Sequence, residues 1–201
     1  MKSWLPHSVS RSWWRTAPAL KEPSAFRPRR RQRPTGIPSC TTNVSNLCLA
    51  PNLADNLPCD AQRDFVPVTQ LGLTVLAMVV PTSLNVKTLK DFTEYAKANP
   101  RKTSFASFGN GSTSHVYGEM LKAAAGIEMT HVPYKGAGPA VQDIMAGHAT
   151  TGIHDLGSVG PHIASRRIVA LAVTGPKRWP LLPDVPTFAE LGYALLRAGA
   201  R

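Results

Sequence analysis

With 201 residues, 43% of them apolar, the chain can build one ordinary domain with a good core, and only marginally two. Its longest apolar run, residues 73–80 continuing to Pro81, is far too short to cross a bilayer, which excludes a transmembrane helix. The formal charge of +11 points toward nucleic acid until it is located: nine Lys and Arg fall in residues 1–40 against the single Glu22, the remainder is nearly balanced at +3, and no finger, heptad or RNA-binding motif turns the charge into recognition.

Residues 1–40 combine Trp4, Trp13 and Trp14 with six prolines and the basic run of residues 27–34, so neither a helical nor a strand period survives. Pro6, Ser8, Ser10, Arg11, Ser12 and Arg15 interrupt every candidate apolar core of a secretory signal. The segment reads as a disordered basic Pro/Arg-rich extension. Cys40, Cys48 and Cys59 are odd in number and fit neither a CxxC nor a zinc spacing, and nothing selects which pair would oxidise.

From Leu71 onward short apolar runs alternate with amphipathic segments, the pattern of strand-helix units. Residues 73–80 predict a strand too apolar for an exposed sheet edge. Thr88 with Asp91 three residues later predicts a capped helix carrying Leu89, Phe92 and Tyr95 or Ala96, stopped at Asn99-Pro100. A strand over 103–107, a glycine-rich turn over 108–112 and a helix with Val116, Met120, Leu121 and Ala124 on its face follow, ending at Gly126. The next unit is a strand over 129–133, a turn over 134–138 and a helix with Pro139 at its first position, carrying Val141, Ile144 and Met145. Strands over 149–154 and 168–174 bracket a short helical piece near 158–165. The predicted fold is α/β, with a mainly parallel sheet and helices on both faces.

In such a layer ligands bind where strands pass into helices, because helix N-termini present N–H groups and about half a positive charge. Gly109 and Gly111 allow close backbone approach in the first such loop, and Asn110, Ser112, Thr113 and Ser114 add polar groups. Lys135 and Gly136 stand in the second loop and Asp155 at the third, where its carboxylate can meet a ligand hydroxyl or amine, or cap the next helix. Nucleotide binding is disfavoured, since Ser114 stands where a dinucleotide fingerprint needs its third glycine. Ser112, His115 and Asp155 tempt one toward a triad, but the nucleophile elbow is absent; no HExxH occurs, and no metal or cofactor is expected.

Residues 57–60 (Leu-Pro-Cys-Asp) with 63–68, the string Ser-Phe-Gly-Asn-Gly-Ser-Thr-Ser-His over 107–115, His-Val-Pro-Tyr-Lys-Gly over 131–136, and residues 170–174 through 182–187 resemble the Bug or TctC family of tripartite tricarboxylate transporter solute-binding proteins. Several spaced motifs in the right order make the resemblance specific over about residues 41–192. It implies a type II periplasmic-binding-protein fold, two-lobed and non-enzymatic, that captures a small organic carboxylate and hands it to membrane permease subunits. The 109–114 loop and Asp155 match the family's ligand-holding positions in the second lobe. The resemblance implies the periplasm, whereas the chain as written lacks a recognisable signal and would stay in the cytoplasm. It also implies a truncated product, with 41–80 a remnant of an incomplete first lobe, 81–192 the second lobe and 193–201 an irregular tail. The competing readings are an α/β enzyme using the 109–114 loop as an anion hole, recognisable by a base within reach of a nucleophile, and an interaction protein whose basic tail tethers it to nucleic acid or an acidic surface, recognisable by salt-dependent binding lost with residues 1–40. No sequence-specific nucleic-acid partner is expected.

Overall fold

The structure, a computed structural model, describes residues 42–53, 57 and 59–197. The basic extension, Cys40 and the last four residues lie outside them. The chain divides into two compact units between Pro67 and Val68. The first carries a π-spaced turn at Ser45–Leu49 running into a short helix at Ala50–Leu53. It also holds a tight turn in which the Asp60 carboxylate accepts from the N–H groups of Gln62 and Arg63 at 2.9 and 3.1 Å. Cys48 and Cys59 are free thiols in this unit.

The second unit is a five-stranded sheet flanked by helices. Its strands are β1 (Leu76–Pro81), β2 (Ser104–Ser107), β3 (Thr130–Pro133), β4 (Thr151–Asp155) and β5 (Ile168–Val173). Its helices are α1 (Leu89–Ala98), α2 (Thr113–Ala125), α3 (Ala137–Met145) and α4 (Leu156–Ala164). No described helix is long and apolar enough to cross a membrane. The strand order is β3-β2-β4-β1-β5. β2 pairs parallel with β3 and β4, whereas β1 pairs antiparallel with both β4 and β5. Four strands therefore share one direction and β1 runs against them, so the sheet is mixed but mostly parallel.

β1 changes one expectation and meets another. All six of its residues are buried, as an unbroken apolar run covered on both faces and paired along both edges should be. It belongs to the same sheet as everything after it, so the compact unit begins before residue 81. It is not an edge. Val68, Leu71 and Leu73, on the stretch leading into it, are exposed, as are Leu181, Leu191 and Leu195 later in the unit.

The two faces of the sheet carry separate cores. Leu76, Met78 and Val80 of β1 join Phe105, Phe92 of α1 and Leu121 of α2 on one face. Ala77 and Val79 join Ala106, Ala140, Val141 and Ile144 of α3 and Val159 of α4 on the other. The alternation of β1 thus feeds both layers.

Thr88 caps α1 as predicted: its hydroxyl accepts from the Asp91 N–H at 3.1 Å and the Asp91 carboxylate accepts from the Thr88 N–H at 3.0 Å. Gly126 closes α2 in the left-handed conformation, with φ of 60°. The buried face of α2, however, is Ser114, His115, Gly118 and Leu121, while Ala124 is exposed and Val116 and Met120 are half-buried. The reason is Gly118, whose missing side chain admits the Phe105 ring: a Cβ there would lie 2.3 Å from Phe105 Cε2. α3 starts two residues earlier than predicted, behind Gly136 at φ 116°, so Pro139 stands third in the helix and not first. The segment expected as an irregular tail makes a 3-10 turn at Ala194–Arg197 that buries Leu196 completely in the first core.

Candidate functional site

Because β3, β2 and β4 are parallel neighbours, their carboxyl ends deliver three loops to one sheet edge. The loops touch. A Cβ on Gly109 would lie 3.6 Å from the Tyr134 carbonyl oxygen, and the Phe108 ring lies 5.8 Å from the His154 ring on β4. The edge so formed gathers Gly109, Asn110, Gly111, Ser112, Thr113, Ser114, Lys135, Gly136 and Asp155, all the residues singled out from the sequence.

The first loop is built largely from its own polar groups. Gly109 (φ 138°) and Gly111 (φ 72°) occupy backbone conformations that other residues avoid. The Gly109 carbonyl accepts from the Ser112 hydroxyl at 2.6 Å, the Ser112 N–H at 3.3 Å and the Ser107 hydroxyl at 3.2 Å. The Gly109 N–H donates to Ser107 Oγ at 3.2 Å, and the Gly111 N–H donates to His115 Nδ1 at 3.1 Å. Ser112 caps α2 by accepting from the His115 N–H at 3.3 Å. Ser114 is fully buried and its hydroxyl has no hydrogen-bond partner among the described residues. Asn110 and Thr113 are half-buried.

Beneath the loop lie His115, weighed from the sequence only as a triad member, and Phe105 and His131, which were not singled out. The rings of His115 and His131 stack with centroids 3.8 Å apart and planes 9° from parallel, and Phe105 lies 4.8 Å beyond His131. His131 Nε2 is 2.7 Å from Ser107 Oγ. Burial pushes the His115 imidazole down to about 4, with the charge of Lys122 adding to it. Burial also holds His131 at about 4, reinforced by His115 and Lys122. Both rings are neutral at pH 7. The pairing of Phe105 with His131 in register across β2 and β3 was the available signal, but it needs the strand pairing to be known.

The second loop is steadied by the Tyr134 hydroxyl, which donates to Asp143 Oδ2 at 2.6 Å. Burial and this bond push the Tyr134 phenol up to about 12. Lys135 is exposed, and Gly136 caps α3 without any side-chain hydrogen bond. At the third loop Asp155 is the N-cap of α4: its Oδ1 accepts from the Ser158 N–H at 2.9 Å, and the Ser158 hydroxyl lies 3.0 and 2.9 Å from the two carboxylate oxygens. His154 beside it is fully buried, and neither ring nitrogen has a hydrogen-bond partner among the described residues. Burial pushes it down to about 4 against the opposing pull of Asp155.

Catalytic geometry is not assembled from Ser112, His115 and Asp155. The Ser112 hydroxyl is committed to Gly109 and the His115 ring to Gly111. Ser107 and His131 do form a hydroxyl-imidazole pair, but Ser107 is wholly buried under the turn and bonded to Gly109 through both its roles. It fastens backbone where a nucleophile would need open access. Among the described residues no group of three or more His, Cys, Asp or Glu side chains is arranged to hold a metal ion.

The family model for the tripartite tricarboxylate transporter family receptor, TctC, matches residues 31–199. The chain belongs to that family. A relative from the tcbD-tcbE intergenic region of Pseudomonas sp. strain P51 is 40% identical over 134 residues, which is 67% of this chain and 40% of that protein. Among solved structures, a periplasmic transporter superposes with a TM-score of 0.75 at 37% identity, covering 78% of this chain and 52% of the other. An R. palustris protein solved with adipate superposes with a TM-score of 0.69 at 34% identity, over 72% of this chain and 48% of the other. The chain thus spans about half the length of the relatives it matches. The second unit is a periplasmic-binding-protein-like lobe, and the family is one of solute receptors.

Proposed function

We propose that this receptor lobe captures a small organic carboxylate, in the periplasm, for delivery to membrane permease subunits, and that it is not an enzyme. The convergence of three loops and three helix starts on one sheet edge carries the reading: α2, α3 and α4 all begin there, and each adds partial positive charge where an anion would sit. Membership of the receptor family and the likeness to an adipate-bound structure support the same ligand class. The residues proposed to face the ligand are 109–113, Lys135, Gly136 and Asp155, while Ser114, expected among them, is fully buried beneath the turn.

The loop's internal bonding sets the expected strength. Two or three neutral hydrogen bonds, each contributing about 0.5 to 1.5 kcal/mol net, fall well short of the roughly 8 kcal/mol that micromolar binding needs. Titration of this chain with adipate and with a hydroxydicarboxylate such as malate, followed by NMR shifts, should therefore show millimolar binding centred on Asn110, Thr113 and Gly136. Shifts confined to surfaces away from this edge, or hydrolysis of carboxylate esters by the chain, would refute the assignment.

A further inference from the structure

His115 stands third in α2, the position at which a Glu or Gln commonly reaches back to complete a capping box. Here the box is made with an imidazole. Ser112 Oγ accepts from the His115 N–H, and the His115 ring returns to accept from the Gly111 N–H, one residue outside the cap. Since Nδ1 is an acceptor, the ring proton sits on Nε2 and the ring carries no charge. The ring plane is pinned by its stack on His131, which in turn sets the Ser107 hydroxyl that brackets Gly109. Both glycines of the turn, which have no side chains to hold them, are thus tied down from beneath by one assembly.

We propose that His115 is a positioning residue whose role is to fasten the 109–112 turn without adding negative charge beside a bound carboxylate. A glutamate at this place would close the same backbone bond but set an anion against the anion to be held. A glutamine would close it without charge. The imidazole does so while also stacking, and its neutral state follows from the geometry of the Gly111 bond. The charge argument rests on the proposed carboxylate site; the fastening does not.

Three variants separate the parts, with amide exchange at Gly111 and NMR titration with adipate measured on each. His115→Ala should speed Gly111 exchange roughly ten-fold, the loss of one hydrogen bond, and weaken adipate binding. His115→Gln should keep both close to wild type. His115→Glu should keep Gly111 protected while weakening adipate binding about ten-fold, with the deficit shrinking as salt is raised. Unchanged Gly111 exchange in His115→Ala overturns the fastening, and equal adipate affinity of the Glu and Gln variants overturns the charge argument. A wild-type chain that binds no adipate overturns the proposed function and with it the charge argument, while the Gly111 exchange rates still decide the fastening.

Discussion

Replacing Gly118 by alanine pits two effects of opposite sign against each other. In the interior of an open helix the change would stabilise by about 0.8 to 1 kcal/mol, because glycine loses more backbone freedom on folding. At Gly118 the new Cβ would meet three atoms of the Phe105 ring at 2.3, 2.5 and 2.9 Å. Ordinary carbon contacts lie near 3.5 to 4.0 Å, so the ring must move by about 1 Å. It has little room, being 1% exposed and stacked on His131. Overpacking of this kind costs about 1 to 3 kcal/mol, and with the ring held on its far side the upper part of that range applies, leaving a net loss of roughly 2 kcal/mol. Urea denaturation of Gly118→Ala should show a midpoint lowered by about 1 M for a slope near 2 kcal/mol/M. In a Phe105→Leu background the same change should cost at least about 1 kcal/mol less, since the clash is with the ring. A single Gly118→Ala variant as stable as wild type, or a cost indifferent to Phe105, would show that the close approach of α2 to β2 is wrong.

Acid should destabilise the lobe. His115, His131 and His154 are each held at about 4 against an ordinary 6.5, so the unfolded chain binds more protons between those values. Their contribution is fully present above pH 6.5, lost as pH falls, and gone below about 4. Each ring contributes at most roughly 3 kcal/mol, less for the half-buried His131, and urea midpoints that stay flat from pH 7 to 4.5 would contradict this. Thr88→Ala removes the hydroxyl that accepts from the Asp91 N–H, leaving the Thr88 N–H bond to the Asp91 carboxylate, and should cost about 1 kcal/mol, read from the same denaturation curves. Asp155→Asn should leave stability nearly unchanged because asparagine caps equally well, whereas Asp155→Ala should cost about 1 kcal/mol; equal losses would show that charge and not capping is what α4 needs.

Elements whose cause is local were legible in the sequence. The Thr88 and Asp91 pair, Gly126 and the glycine turn at 109–111 announce themselves within a few residues, and the structure places each as expected. The direction of β1 was not legible, because an apolar run of residues carries no sign of whether its neighbours run with it or against it. The face of α2 was misread for a related reason: periodicity counts apolar side chains, and here the buried stripe is Ser114, His115, Gly118 and Leu121, chosen by what β2 and β3 present to it. The strand ends that carry the nine candidate residues lie side by side in the sheet, but the Phe105, Ser107, His115 and His131 assembly beneath them depends on two strands being in register. Only tertiary structure supplies that.

The three helix starts at the edge are not equivalent, and the difference bears on where a ligand carboxylate should lie. α2 is capped by the Ser112 hydroxyl, and α4 by the Asp155 carboxylate, whose charge is taken up by the Ser158 N–H and hydroxyl. Both helices have thus spent their first side-chain cap within the protein, and the charge of Asp155 faces its own helix dipole. α3 begins behind Gly136, which offers no side chain, and Lys135 stands exposed immediately before it. A carboxylate arriving at the edge would therefore find its strongest field at α3, with the 109–112 turn serving as the wall against which it rests. Lys135→Gln should then weaken adipate binding and flatten its dependence on salt, while Ser112→Gly, which keeps an acceptable cap at a cost of only a few tenths of a kcal/mol, should affect binding less. The opposite ranking in an NMR titration would move the centre of the site from α3 to α2.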